Sequence, residues 1–160
     1  MKDINIKTLT KVSMLITIMI IGSMIKITGS IALDSFAGFI GAAVFGPYIG
    51  MLLGILGHLL SSMVSGFPMG IHVHLLISLL MGVCLFFYGK TKKVGMPTWV
   101  SDSVAYIINV PLALLVLTPI LTFSVWMLFI PLSVATIVNI VCAEIVLKSM
   151  KMNKSFKGEV

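Results

Sequence analysis

In this chain of 160 residues, 59% are hydrophobic and 10% charged, far from the roughly 25% charged share of soluble domains, which excludes an ordinary water-soluble globule. The formal charge of +6 comes from eleven lysines against five carboxylates, with no arginine; the lysines sit in short flanks around apolar runs, a pattern set by membrane topology and anionic lipid and not by nucleic acid. A chain of this length holds about six or seven spans of roughly 20 residues, so one integral membrane domain over residues 1–160 is expected, with no room for a nucleotide-binding domain.

The first apolar run, residues 9–27, has no Ala-x-Ala cleavage site and is expected to be a retained helix. Runs at 35–45 and 49–64 follow, parted by Gly46-Pro47, which makes them either one long helix or a broken hairpin. The remaining runs are 73–88, 100–121 and 125–147. Lysine placement decides the second question. Lys2, Lys7 and Lys11 precede the first run, Lys90, Lys92 and Lys93 follow the fourth, and Lys148, Lys151, Lys154 and Lys157 follow the last. If all three groups face the cytoplasm, an even number of crossings separates Lys11 from Lys90, which the hairpin satisfies and a single helix does not. The expected fold is therefore an all-α membrane protein, a bundle of six transmembrane helices with both termini cytoplasmic. The second run is short for a span, as for a helix shielded by its neighbours or tilted.

Most of the polar chemistry lies between Asp34 and His74. Asp34 opens the second run, where it can cap a helix, bind a hydroxyl-rich ligand or pair with Lys26. His58 shares a helix face with Ser61, Ser62 and Ser65 and can either contact a ligand or bond between helices. His72 and His74 follow the Gly-Phe-Pro-Met-Gly turn, in which Phe67 and Met69 can stack on a flat ligand or sit at the lipid interface. A His-x-His pair on a helix points apart, so no metal site is expected. Glycines at 38, 41, 46, 50, 54 and 57 permit close helix approach. Asp102 is expected to cap the fifth helix, and Glu144 stands four residues before Lys148, as in a helical ion pair. Asn109 and Asn139 are mid-span amides that can bridge helices or line a cavity, and Trp126 is placed as an interface anchor. Cys84 and Cys142 lack metal or redox spacing. There is no His-Glu-x-x-His, no Gly-x-Ser-x-Gly and no Walker loop, so no enzyme activity is expected.

The lysine-flanked first helix, the acidic residue opening the second and the hairpin FGPYIGMLLGILGHLL together resemble the substrate-binding S component of energy-coupling factor (ECF) transporters, bacterial micronutrient importers, over essentially the whole chain. The resemblance implies a plasma-membrane subunit without a cofactor of its own. It also implies a vitamin-type substrate held under the outer loops, a transmembrane coupling (T) subunit and two cytosolic ATPases. Ser13 and Thr17, with Gly22 beyond, stand where the family often carries alanines on its coupling face. The run GHLLSSMVSGFPMGIHVHLL is similar to the subgroup of cobalamin salvage, in particular importers of alpha-ribazole, the dimethylbenzimidazole riboside. In that case Phe67 and Met69 would sandwich the base, Asp34, His58, His72 and His74 would hydrogen-bond the ribose, and Ser61 and Ser62 would be further substrate-binding residues. Other S-component cargoes (corrinoid, riboflavin, thiamine, a queuosine precursor) and a small histidine-metal membrane enzyme are the competing readings. Lys2 stands where nickel and cobalt S components carry histidine, which counts against metal-ion import.

Overall fold

The computed structural model describes residues 6–28 and 31–156; Lys2 and Lys157, two of the flanking lysines, lie outside them. Helices dominate: α1 (Ile6–Ser23), α2 (Phe36–Phe45), α3 (Pro47–Val64), α4 (Ile71–Val94), α5 (Thr98–Ile107), α6 (Ala113–Leu121) and α7 (Phe129–Phe156). A π-helical turn, Ile108–Leu112, joins α5 to α6 in one continuous span, and a 3-10 turn, Phe123–Leu128, leads into α7. Five of these spans are long and apolar enough to cross a membrane, and α2, with ten residues, is shorter. An all-α membrane protein is what the hydropathy pattern requires, with one departure. The first helix ends at Ser23, before the expected Ile27, and the chain forms a two-stranded antiparallel ribbon, β1 (Lys26–Thr28) against β2 (Ile31–Ala32).

The break between α2 and α3 is local chemistry. Gly46 adopts φ 94° and ψ 178°, a conformation open to glycine and strained for other residues, and Pro47 starts α3 at the position where a missing N–H costs nothing. The hairpin closes because α3 has small residues toward its partners: a methyl group on Gly54 would lie 2.8 Å from the Met81 carbonyl carbon and 2.9 Å from Gly82 N, both main chain of α4. Packing at this range is the main source of helix association in lipid, where burial of apolar surface supplies no drive. The α3–α4 pair accordingly forms the most extensive contact in the bundle.

Pro111 removes one N–H from the middle of the α5–α6 span, and the helix absorbs the defect by widening into the π turn. At the end of the bundle carrying the α4 lysines, α4 runs past the expected Tyr88 to Val94, because lysine is a good helix former, and stops at Gly95 in the left-handed region (φ 82°). Glu144 does not take Lys148. Its carboxylate binds Lys92 Nζ at 2.6 Å and accepts a hydrogen bond from the Tyr88 hydroxyl, so a tertiary partner displaces the helical neighbour. Asp102 does not cap either: α5 already begins at Thr98 after Pro97, which leaves Asp102 a turn inside the helix.

Candidate functional site: a mid-depth cavity

The ten residues of α2 rise about 15 Å, half of a hydrocarbon core of roughly 30 Å. Since α2 ends at Gly46 at the lysine end, its beginning, with Ser35 and Asp34, lies near mid-depth. The ribbon must fold into the bundle to reach it, and Ala32 and Asp34 are both buried. His58 stands about 17 Å along α3 from Pro47, and Asn109 about 17 Å along its span from Thr98. Thr136 and Asn139 lie about 18 and 14 Å before Lys148 on α7. Five polar residues on three helical spans and one loop thus meet at one level.

They line a cavity of about 80 Å³, the space open to the centres of water molecules. A cavity needs roughly 10–15 Å³ to hold one water, so this one has room for several. Most of the wall is apolar: Phe39, Met69, Ile77, Met81, Leu114 and Leu117 are among its residues, with Asp34, Ser35, His58, Asn109, Thr136 and Asn139 as its polar members.

Two of the amides have different tasks. Asn139 is fully committed: its Oδ1 accepts from Phe36 N at 2.8 Å, and its Nδ2 donates to Ala32 O at 3.0 Å and Ala135 O at 2.9 Å, which pins the ribbon and the start of α2 to α7. Asn109 donates through Nδ2 to Thr136 Oγ1 at 2.8 Å, and its Oδ1 has no protein partner among the described residues. Asp34 accepts from the Ser35 hydroxyl at 2.9 Å. It makes no side-chain cap on α2 and no ion pair with Lys26, which is exposed on the ribbon.

A second polar group stands behind the cavity wall. His58 Nε2 lies 3.3 Å from His74 Nδ1, and Ser62 Oγ lies 2.9 Å from the same nitrogen, which links α3 to α4. Among the described residues no third His, Cys, Asp or Glu joins them in a group that could hold a metal ion.

The family model for the ECF transporter substrate-specific component matches residues 7–155. The chain belongs to this family. No curated protein and no solved structure gives a significant match. As an S component the chain is a membrane-embedded substrate-binding subunit of a transporter and not an enzyme, and the family implies a small-molecule substrate with T-subunit and ATPase partners.

Of the residues singled out in the S component's sequence, Asp34, His58 and Met69 line the cavity. Ser62 and His74 are buried behind it, in the histidine link, and Ser61 is buried with an unpartnered hydroxyl. The Phe67 ring packs on His74 at 5.7 Å between centroids, and His72 is exposed; neither belongs to the lining. Ser13 and Thr17 are exposed on α1, away from the cavity. Trp126 is half-buried, its Nε1 donating to Thr118 Oγ1 at 3.0 Å. Asn109, Thr136 and Asn139 are the contribution that the Asp34–His74 stretch could not reveal. Their signal was present as amides and a hydroxyl at mid-span, where polar groups are costly unless used.

Proposed function

We propose that this S component captures a vitamin-precursor molecule, with alpha-ribazole as the leading candidate, in the cavity between the ribbon and helices α2 to α7. The observation that carries the reading is a cavity walled by apolar side chains whose polar groups gather at one depth around buried Asp34. A cavity of about 80 Å³ open to water centres suits a small heterocyclic cargo better than a whole corrinoid. The benzimidazole would lie among Phe39, Met69, Met81 and Leu114, and the ribose hydroxyls would donate to Asp34 and Asn109. His58 would hydrogen-bond the cargo, with Ser62 and His74 fixing its ring.

In this reading the lysine end faces the bacterial cytoplasm, where both termini lie, and α2 with α3 forms a hairpin of two crossings, for six in all. Ser13 and Thr17 would face the T subunit, and two cytosolic ATPases would supply the energy. Thermal-shift screening of the purified chain against alpha-ribazole, dimethylbenzimidazole, cobalamin, riboflavin, thiamine and queuosine precursors tests the cargo. Stabilisation by alpha-ribazole is expected, and stabilisation by an unrelated vitamin alone would refute it. Single cysteines at Ser65 and Gly95 test the orientation: a membrane-impermeant thiol reagent should label the first from outside and leave the second untouched.

A further inference from the structure

The polar wall of the cavity has a sign. Among the described residues its one acidic side chain is Asp34, and no lysine lines it. The chain has no arginine, and Lys26, on the neighbouring strand of the ribbon, is exposed outside the lining. The unspent hydrogen-bonding capacity leans toward acceptors. Asn109 offers Oδ1, an acceptor, and one hydrogen of Nδ2, the other being held by Thr136. Asp34, as a carboxylate, keeps lone pairs beyond the one that receives the Ser35 hydroxyl. Asn139 has nothing left to give, since both of its Nδ2 hydrogens and its Oδ1 are used within the protein. Thr136 accepts from Asn109 and donates to Leu132 O at 2.7 Å, and Ser35 donates to Asp34. His58, like Asn109, can act in either sense, its tautomer being set by the link to His74.

We infer that the cavity selects against negative charge: its cargo is a neutral or cationic heterocycle presenting hydrogen-bond donors to Asp34 and Asn109, and carboxylated or phosphorylated forms of the same molecule are rejected. A buried anion would meet Asp34 without a compensating cation, and in a low dielectric that juxtaposition outweighs anything the apolar wall returns.

The inference rests on the cavity being the cargo site, and the test separates the two. The full chain in lipid nanodiscs is titrated calorimetrically with matched neutral and anionic pairs: alpha-ribazole and its 5′-phosphate, pyridoxine and its 5′-phosphate, nicotinamide and nicotinate. Within any pair that binds, the neutral member should bind about a hundredfold tighter or more. Asp34→Asn, which keeps the shape and removes the charge, should narrow that ratio, and Asn109→Leu should weaken the neutral member. An anionic member binding as tightly as its neutral partner overturns the charge selection while leaving a binding subunit in place, as does a ratio unmoved by Asp34→Asn. Failure of every pair and of every compound in the vitamin screen brings down the cargo site and the inference together.

Discussion

Asn139→Leu should loosen the roof of the cavity. The substitution keeps the side chain's approximate volume and removes two links between elements, Phe36 N to Oδ1 at 2.8 Å and Nδ2 to Ala32 O at 3.0 Å, in a residue that is 2% exposed. The Ala135 carbonyl loses only a third, local bond, as it belongs to the α7 helical ladder. Polar contacts between helices in membranes average about 0.6 kcal/mol, which sets a lower limit near 1 kcal/mol for the two. A buried main-chain group left without a partner costs about 1–3 kcal/mol, so an upper value near 6 kcal/mol applies if neither Phe36 N nor Ala32 O finds water. The expected loss is therefore about 2 kcal/mol or more, read as a shift in reversible denaturation of the detergent-solubilised protein. Hydrogen exchange gives the local signature: the Phe36 amide should exchange much faster while amides of the α3–α4 contact keep their protection. Asn139→Asp should retain the Phe36 bond and lose the Ala32 bond. A loss below about 0.5 kcal/mol with Phe36 exchange unchanged would refute the assignment of Asn139 as the pin.

Three further outcomes follow from the packing and the charges. Gly54→Ala should destabilise by about 1–3 kcal/mol, the reverse of the gain of roughly 0.5–1 kcal/mol for such a change in an exposed helix, because the methyl meets the α4 main chain; a gain in denaturation midpoint would refute the close approach. Asp34→Asn should raise the melting temperature of the ligand-free protein at neutral pH, because a carboxyl buried without a cation is costly and the amide carries no charge; a lowered melting temperature would contradict this. Lys92→Met leaves Glu144 without its cation and should cost about 1–3 kcal/mol, with Glu144→Gln in the same chain restoring much of it; additive losses in this double-mutant cycle would show that the pair carries no coupling.

The helical runs and the hairpin break were readable because each depends on local chemistry: apolar length, Gly46 followed by Pro47, and the lysine flanks. Asp34, His58 and Met69 were readable as candidates for a cavity lining for a similar reason, being polar or adaptable groups in a stretch rich in close-packing glycines. What escaped depends on how distant segments align. Asn109 and Asn139 look alike in sequence, two amides at mid-span, yet one is spent on the ribbon and the other keeps an acceptor toward the cavity, a difference set by Thr136 and Ala32 across the bundle. Lys148 is the nearest partner of Glu144 along the helix, and Lys92 wins because α4 continues past its apolar run to bring the ammonium and Tyr88 to the same carboxylate. The ribbon escaped because a two-residue strand has no periodicity to detect, and its course follows from α2 being too short to reach the surface.

The cavity as the cargo site is tested most directly by filling it. Leu117 is 4% exposed and faces the cavity, whereas Val83 on α4 is 40% exposed and outside the lining. In equilibrium dialysis with labelled alpha-ribazole, the wild-type chain and Val83→Trp should both bind saturably, one molecule per chain, and Leu117→Trp should lose binding while retaining its helical content. Equal binding by a folded Leu117→Trp protein would contradict the account.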